Sequence, residues 1–549
     1  MFAGYLLRPD ARRLEFSRAA TRTALLEVPM SLPVPLGTLL TPAAYPHPAP
    51  DIRFIETHIS WVLLAGDFAY KIKRPVRYAF IDLTDPGHRE RLCEEELRLN
   101  RRFAPELYLE VCRVVNVGGE ARIGAEGEVL EHAVRMRRFP ATAELDQLLA
   151  NNQITPGELA GFGHALARSH AGLAVADAAA PWGQPEKIQA LMLGNLKECA
   201  EAAQPLGLAG PVLALQGPLQ RQLPGATAVI AARRAAGRIR ECHGDLHCRN
   251  IVRLAGRLLA FDCLEYEPAF RWIDVADEIA FLASDLSSRG HLEHAHAFVA
   301  AYLEESGDYQ ACRLLRLYET HRALVRAKVA ALSGAGLPEG ERLQSLRREH
   351  VRLVAHAARS LGPHHPLLIL MHGLSGSGKT FLAKQLAPRL RAIHIRSDIE
   401  RKRHAGLGPM ARTGSELGAG LYAPASSAAL YTQLLRAAED ALAGGYTVIV
   451  DATCLTRVQR APFAELAQRC GVPAHLLSCT APEGVLRTRI AARKTSGADP
   501  SEADEAVLNW QLSQQEPPAP EEPFQVIRID TSGPHALEQA LRDLRPHTV

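Results

Sequence analysis

The chain has 549 residues, more than one hydrophobic core usually supports, so two or three domains are expected. With 47% hydrophobic and 22% charged residues it has the composition of a globular protein, and its net charge of +3 gives no electrostatic case for nucleic acid or an anionic membrane. No run of 18 apolar residues predicts a transmembrane helix, and ten scattered cysteines without a CxxC pair favour a reduced, cytoplasmic protein over a disulfide or zinc framework.

Residues 1–34 have no periodicity typical of a core-forming element, and we expect a poorly ordered extension there. The segment is rich in arginine, which would suit a targeting presequence, but it lacks an apolar signal core. We favour an extension that precedes a start at Met30.

Residues 35–140 are predicted to be mainly strands. The stretch "FIETHISWVLLAGDFAYKIKRPV" alternates apolar and polar residues around the turn-forming pair Gly66-Asp67, which predicts antiparallel strands. A helix follows in "PGHRERLCEEELRLNRRFA", and strands resume through "HAVRMRRFP". This order of elements predicts an α+β unit.

The rest of the chain divides at a short break. Residues 142–239 and the stretch that ends at Leu361 are predicted to be mainly helical, and "GPHHP" (Gly362–Pro366) then interrupts the pattern. Beyond it, the apolar runs "LLILM", "AIHI", "YTVIV", "AHLLSC" and "FQVIRI" alternate with helical segments, which predicts a parallel, doubly wound α/β sheet. We expect two domains, residues 35–361 and residues 366–549.

The stretch "ECHGDLHCRN" has the spacing of a kinase catalytic loop. Kinases place an Asp five residues before an Asn, so that the Asp takes the proton of the acceptor hydroxyl and the Asn holds magnesium; Asp245 and Asn250 have this spacing. If Ala255-Gly256 forms a tight hairpin turn, pairing places Asn250 beside Asp262, a second Mg²⁺ ligand. The alternative is a solvated loop whose Asp and Asn residues only cap local turns.

A phosphate-binding Lys on a strand and a Glu on a helix usually accompany such a loop. "FAYKIK" supplies Lys71 and Lys73 on one strand face, and the pattern Ala-x-Lys favours Lys71. Glu96 falls on the apolar stripe of the next predicted helix, with Leu92 and Leu99, so it needs a buried cationic partner. We predict a pair between Lys71 and Glu96; a solvated Glu96 at the edge of the stripe is the alternative.

Together these residues resemble the aminoglycoside phosphotransferase-like branch of the protein-kinase fold. "HGDLHCRNI" is similar to that family's "HGDLHxxN" loop, and "FD" followed by "DVADEIAFLA" is similar to its metal-binding and following segments. The resemblance implies two lobes, about residues 50–140 and 141–361. The site residues are then the catalytic base Asp245, the nucleotide-binding pair Lys71 and Glu96, and the magnesium ligands Asn250 and Asp262.

Two features depart from that family. Arg249 stands where small residues are common, and no glycine-rich loop appears around residues 58–60, which leaves open how the nucleotide is clamped. The acceptor is open as well, because the acids after the loop could hold the ammonium groups of a polycation, although we favour structural pairing with Arg271 and its neighbours. These acids are Glu265, Glu267, Asp274, Asp277 and Glu278.

The most specific motif is "GLSGSGKT", a complete GxxxxGK[ST] loop between the strand "LLILM" and the helix "TFLAKQL". Its backbone N–H groups can approach phosphates, Lys379 can reach the terminal ones, and Thr380 can ligate Mg²⁺. Asp451 at the end of "YTVIVD" is the expected second Mg²⁺ partner. The loop residues expected at the nucleotide are Gly373, Ser375, Gly376, Ser377, Gly378, Lys379 and Thr380.

Acceptor-side residues are expected near this loop. "IRSDIERKR" carries Asp398 and Arg401 on one helix face, where the carboxylate could activate a hydroxyl and the guanidinium could hold an acceptor or a phosphate. The alternative is an Asp that caps a helix beside a surface Arg. Later, "VLRTRIAARKTSGADPSEAD" places Arg487, Arg489 and Arg493 before a loop, as in a lid that stabilises a transferring phosphoryl group and excludes water.

Residues 366–549 resemble small P-loop kinases of the gluconate kinase, polynucleotide kinase and zeta-toxin type, on the "SDxxR" element and the arginine-bearing segment. The complete chain is similar to bacterial fusion proteins described as bifunctional aminoglycoside phosphotransferase/ATP-binding proteins. The resemblance implies an ATP- and Mg²⁺-dependent phosphotransferase that acts on small-molecule or nucleotide-like hydroxyls. Two alternatives stay open: a kinase-like domain that only regulates the P-loop kinase by binding nucleotide, and an ATPase without a phosphoacceptor.

Overall fold

The computed structural model of the chain describes residues 32–78, 81–408, 411, 424–496, 501 and 503–544. The predicted N-terminal extension lies outside the described residues up to position 31, whereas Leu32 is buried in the core of the first sheet. No helix within these ranges is both long and apolar enough to cross a membrane.

The first lobe is an antiparallel sheet with one long helix against it. Its elements are β1 (Ile52–Glu56), β2 (Ser60–Ala65), β3 (Phe68–Lys73), β4 (Arg77–Tyr78), β5 (Ile81–Asp82), α1 (Pro86–Asn100), β6 (Tyr108–Val117), β7 (Glu120–Ile123) and β8 (Glu128–Arg137). Six strands form a sheet in the order β1-β2-β3-β8-β6-β7, and the predicted turn at Gly66-Asp67 joins β2 to β3. Helix α1 begins where Asp85 accepts the N–H of His88 at 2.8 Å, and its apolar face packs on β6 and β8.

The second lobe is mainly helical, as the sequence predicts. Its elements are α2 (Leu145–Ala150), α3 (Pro156–Gly172), α4 (Pro185–Ala203), α5 (Ala209–Leu213), α6 (Gln216–Ala235), β9 (Ile239–Glu241), β10 (Ile251–Leu254), β11 (Arg257–Ala260), β12 (Trp272–Asp274), α7 (Val275–Ser288), α8 (Leu292–Ser306), α9 (Cys312–Gly334) and α10 (Glu341–Leu361). Helix α7 is buried almost throughout and packs against α8, α9 and α10. A helix that is buried on all sides forms the centre of a lobe.

The C-terminal domain is a parallel sheet between two layers of helices. Its elements are β13 (Leu368–His372), α11 (Lys379–Leu390), β14 (Ile393–Arg396), α12 (Ser397–His404), α13 (Pro424–Ala443), β15 (Val448–Asp451), α14 (Arg457–Cys470), β16 (Ala474–Thr480), α15 (Glu483–Ser496), α16 (Glu505–Gln514), β17 (Gln525–Asp530) and α17 (Ala536–Leu544). The strand order is β14-β15-β13-β16-β17, and every pair is parallel. Alternate residues of β13 belong to different core clusters, so both faces of the sheet are covered. The predicted doubly wound sheet is confirmed.

The two domains share one hydrophobic core. Leu314 and Leu317 of α9 belong to the same continuous cluster of buried residues as Leu430 and Leu434 of α13. Apolar packing therefore continues across the segment Gly362–Pro366, from helix α9 to helix α13.

The contact between the domains is also close at the backbone. A Cβ on Gly444 would lie 2.1 Å from the carbonyl oxygen of Cys312, so a side chain does not fit there. Arg316 donates to the carbonyls of Gly444 and Gly445 at 2.9 and 3.0 Å, and its guanidinium lies 4.4 Å from the centroid of the Tyr446 ring. Hydrogen bonds and van der Waals contacts thus fix the two domains against each other.

Candidate active sites

The β10–β11 hairpin forms as the sequence predicts and sets the first site. Ala255 and Gly256 both have positive φ, +47° and +76°, as a two-residue hairpin turn requires. Ile251 pairs with Ala260, and the Phe261 N–H donates to the Asn250 carbonyl at 2.9 Å. Asn250 and Asp262 therefore start and end the hairpin side by side.

Asp245 lies buried in the loop between β9 and β10. The Asn250 amide donates to its Oδ2 at 3.1 Å, and the Nε2 of His247 lies 3.5 Å from the same oxygen. Burial alone would raise the pKa of Asp245, but the neighbouring His247 holds that pKa well below its ordinary value. An ionised carboxylate in a water-poor site is what a general base requires.

The loop rests on the carboxylate of Glu278 in α7. Its two oxygens accept the backbone N–H groups of His243 and Gly244 at 2.7 and 3.0 Å. Burial raises the pKa of Glu278 to about 7. The sequence reasoning gave Glu278 no role in supporting this loop, although its place among the apolar residues of the run "IAFLA" and its neighbours was a usable signal.

Buried Lys and acidic side chains meet between the two lobes. Lys71 Nζ lies 2.7 Å from Glu96 and 2.5 Å from Asp262, so the predicted pair of Lys71 and Glu96 is present. Lys73 contacts the second oxygen of Glu96 at 2.5 Å and also binds Glu265. The contact between Lys73 and Glu265 was not predicted.

The charges in this cluster stabilise one another. Burial disfavours the Lys71 ammonium, but Asp262 and Glu96 outweigh it and raise the pKa of Lys71 well above its usual value. Burial also opposes ionisation of Asp262, but Lys71 lowers the pKa of Asp262 to about 2. The carboxylate of Asp262 and the amide oxygen of Asn250 are the oxygen donors that Mg²⁺ prefers, so these two residues fit the predicted metal.

The acids that follow the hairpin make structural contacts, as favoured, but not with the expected Arg271. Asp274 pairs with Arg233 and Asp277 with Arg322, each at 2.7 Å, whereas the Arg271 guanidinium binds Glu95 and Glu241 instead. Glu267 caps the turn that follows it by accepting the Ala269 N–H. Pairing with Arg271 was wrong because two acids outside the group lie closer to its guanidinium.

Both departures from the family pattern are visible in the structure. The β1–β2 connection is a tight turn in which Thr57 and Ser60 bond to each other, with the Ser60 N–H donating to the Thr57 hydroxyl at 2.9 Å. Arg249 extends to Asp146 in α2 at 3.4 Å. The β1–β2 connection is thus a short polar turn without glycine.

The P-loop joins β13 to α11 and closes around its own lysine. Lys379 Nζ donates to the carbonyls of Gly373 and Leu374 at 2.7 and 2.8 Å. A Cβ on Gly373 would lie 2.4 Å from the carbonyl oxygen of Cys479, so glycine is needed at the start of the loop. Burial lowers the pKa of Lys379, an effect that Asp451 opposes.

Asp451 and Thr380 meet beside the loop, as expected of two Mg²⁺ ligands. Burial would raise the pKa of Asp451, but hydrogen bonds from His394 and from Thr380 lower it. His394 Nε2 lies 3.2 Å from Asp451 Oδ2. The sequence reasoning missed His394; its place on β14, next to β15 in the sheet, was the available signal.

A cavity of about 630 Å³ opens beside the P-loop and is lined by residues of both the P-loop motif and the motif around Asp398. Lys379, Thr380 and Asp451 line it from the P-loop, the start of α11 and the end of β15, while Asp398 and Arg401 line it from α12. Asp398 is the second residue of α12 and Arg396 occupies the capping position, so the alternative of an Asp N-cap is not what the structure has.

The arginines of α15 divide into two groups. Arg489 and Arg493 line the cavity, and Arg489 donates to the Gly376 carbonyl at 3.2 Å and to the Thr531 carbonyl at 2.7 Å. Arg487 pairs with Glu483 on its own helix, on the side away from the cavity lining. Arg489 and Arg493 therefore lie at the cavity, whereas Arg487 does not line it.

Helix α12 is held from behind by the first domain. The opposite face from Asp398 and Arg401 carries Glu400, which accepts the Tyr309 hydroxyl at 3.0 Å and the Gln433 amide at 3.0 Å. Arg403 bonds to Glu400 and to a carbonyl at the end of α8. The helix that carries the acceptor-side residues therefore depends on contacts from the other domain.

In both sites a buried lysine lies near a carboxylate: Lys71 contacts Asp262, and Lys379 lies within reach of the charge of Asp451. The family described as an AAA domain matches residues 368–518. The chain belongs to the same family as the Uncharacterized protein Rv2004c of Mycobacterium tuberculosis (strain ATCC 25618 / H37Rv). The two are 30% identical over 498 residues, which are 89% of this chain and 94% of the relative.

Two solved structures are similar to separate parts of the chain. A gluconokinase from Sinorhizobium meliloti 1021 is 23% identical and covers 34% of this chain and 94% of its own, with a TM-score of 0.25. The ADP-bound aminoglycoside phosphotransferase APH(2'')-Ib is 13% identical and covers 57% of this chain and 95% of its own, with a TM-score of 0.31.

Proposed function

We propose that the chain is an ATP-dependent kinase that transfers the γ-phosphoryl group to hydroxyl acceptors and uses both nucleotide sites. The observation that carries this proposal is the P-loop cavity, where phosphate-side and acceptor-side residues face one space. Lys379 and Thr380 line it from the P-loop and the start of α11, and Asp398 and Arg401 line it from α12. A nucleotide and a small hydroxyl compound together need a cavity of this kind.

In the proposed reaction, the acceptor oxygen forms a bond to the γ-phosphorus as the bond from that phosphorus to the β,γ-bridging oxygen breaks. ADP leaves with the electron pair, and the acceptor proton passes to the Asp398 carboxylate. Lys379, Arg489 and Arg493 offset the charge of the phosphoryl oxygens. Mg²⁺, bound through Thr380 and Asp451, would neutralise charge on the β- and γ-phosphates.

The first site supports the same class of reaction. Asp245 is a buried, ionised carboxylate, and Asn250 and Asp262 supply oxygen donors for Mg²⁺. Two contacts favour a regulatory nucleotide-binding role for this site instead. The ammonium of Lys71 lies against Asp262, and the Ser60 N–H in the β1–β2 turn already donates to the Thr57 hydroxyl. Nucleotide entry must displace the first contact and accommodate the second.

The proposal also covers the class of molecule that accepts the phosphoryl group and the cellular compartment of the protein. The names of the two similar solved structures suggest two classes of probe, a sugar acid such as gluconate for the P-loop site and an aminoglycoside for the first site, and nucleosides are a third class. All ten cysteines are free thiols, which suits a reducing compartment such as the cytoplasm.

Radiolabelled [γ-³²P]ATP with Mg²⁺, the full chain and these acceptors tests the proposal, together with a small-molecule metabolite extract. Lys379→Ala should remove the products of the P-loop site, and Asp245→Asn should remove those of the first site. Products lost only in Lys379→Ala would favour the regulatory alternative for the first domain. Release of free phosphate alone, from every mixture, would identify an ATPase and contradict the proposal.

A further inference from the structure

Gln511 of α16 reaches into the P-loop. Its side-chain Oε1 accepts the backbone N–H of Ser375 at 2.8 Å, and the residue is only 6% exposed. It lines the same cavity as Lys379. Neither the P-loop motif nor the acceptor-side motif includes this residue.

Packing fixes the position of Gln511. One turn before it, Leu508 is fully buried against Leu486 and Ile490 of α15. On the exposed side, Arg487 of α15 donates to Asn509 at 2.9 Å. A glutamine loses much rotamer freedom when it is buried, so such a place is selected for its hydrogen bonds rather than for its apolar atoms.

Only one orientation of the Gln511 side-chain amide is consistent with its hydrogen bond to Ser375. The partner at Ser375 is an N–H donor, so the atom that meets it must be the amide oxygen of Gln511. The NH₂ group, with two donors, is then fixed on the other arm of the amide. Among the residues that the structure describes, no hydrogen-bond acceptor is recorded for that group.

We propose that Gln511 binds the transferring phosphoryl group: its oxygen anchors the P-loop at Ser375, and its NH₂ group donates to a phosphoryl oxygen. This inference rests on the proposed function of the P-loop site. The bond from the acceptor oxygen to phosphorus forms and the bond to ADP breaks as described above, and Gln511 gains or loses no proton. Its donors contribute most when negative charge spreads over the phosphoryl oxygens.

Binding of MgADP and of MgADP with aluminium fluoride, a mimic of the phosphoryl group in transfer, tests this. The full chain carries Asp262→Asn so that the first site is silent. Gln511→Glu is the decisive change because its carboxylate still accepts the Ser375 N–H but offers no donor. Gln511→Ala removes both contacts. Gln514→Ala is the matched control, an exposed residue of the same helix that also lines the cavity.

We expect Gln511→Glu to weaken the aluminium fluoride complex about 10- to 100-fold more than it weakens MgADP, because a hydrogen bond to the charged phosphoryl group is lost there and the added carboxylate lies nearest to that group. Gln514→Ala should change neither. Equal loss for both ligands would mean that Gln511 only holds the loop, and no loss for either would also overturn the proposal. If the parent itself binds neither ligand, or Lys379→Ala does not weaken binding, the proposed function fails instead.

Discussion

Asp398 and Asp451 line the same cavity from different elements, Asp398 from α12 and Asp451 from the end of β15. Asp451 is buried and bonds to Thr380 and His394 on the phosphate side, while Asp398 is half-buried on α12 beside Arg401. The two carboxylates therefore fit different proposed roles: Asp451 as a metal ligand and Asp398 as the group that faces an acceptor hydroxyl.

Asp398→Asn should leave ATP affinity nearly unchanged and lower phosphoryl transfer about 10²–10⁴-fold, because a general base is lost and no phosphate contact is. Transfer to the acceptor and nucleotide binding are measured on the same preparation. Near-normal transfer would contradict the catalytic role.

Glu278 leads to a prediction on how the folding stability of the chain depends on pH. Its pKa is raised from an unfolded value near 4.5 to about 7 by burial, so between these values the folded chain holds a proton that the unfolded chain has lost. Protonation of Glu278 therefore favours folding at low pH, and this contribution decreases as pH rises toward 7. Glu278→Gln has no such titration. The stability of the wild type relative to this variant should fall from pH 5 to pH 7, by up to about 1.4 kcal/mol per unit, in urea unfolding experiments. A constant difference would contradict the raised pKa.

At the scale of elements, the β10–β11 hairpin belongs to the first site alone, so a change in it should affect that site and not the P-loop site. Asp262→Asn should remove Mg²⁺-dependent nucleotide binding in the first site, since one of its two oxygen ligands loses its charge, and leave the P-loop site intact. Lys379→Ala should do the reverse. Equilibrium binding of a fluorescent ATP analogue, with each variant checked for folding by circular dichroism, measures both. Loss of both sites in either folded variant would mean that they are one site.

Helix α12 gives the second prediction at this scale. It has eight residues, too few for a stable helix without outside support, and its Glu400 is held by Tyr309 of the first domain. Tyr309→Phe should speed amide hydrogen exchange in residues 397–404 and leave MgADP affinity unchanged. Tyr302→Phe, equally buried but bonded to His170 within the first domain, is the control. Unchanged exchange in Tyr309→Phe would show that α12 is held without this contact.

The sequence predicted elements better than contacts. Strand alternation, the doubly wound order and the hairpin at Ala255-Gly256 follow from local pattern, and the structure has them. Lys73 with Glu265 and His394 with Asp451 were missed, because residues far apart in sequence meet only through strand order and domain packing. The roles assigned to the site residues stay predictions.

At the scale of the whole molecule, the shared core predicts that the two domains unfold together. Gly444→Ala would force a Cβ against the Cys312 carbonyl, and overpacking of this kind costs about 1–3 kcal/mol. The melting temperature should fall, and tertiary signals from both domains should move as one transition. Gly484→Ala, a helical glycine with open space around it, should be neutral or slightly stabilising. Two separate transitions in the Gly444 variant would contradict a common folding unit.

The packing of α9 against α13 also affects how the chain is made. Helix α9 ends at Gly334, but α13 begins only at Pro424, so the ribosome must add the intervening stretch before the two can meet. At roughly 5–20 residues per second, the nascent first domain waits several seconds or more with apolar surface uncovered. During that interval it is a candidate for chaperone binding. A chain truncated before α13 should therefore accumulate in inclusion bodies, whereas the complete chain folds once synthesis has passed α13.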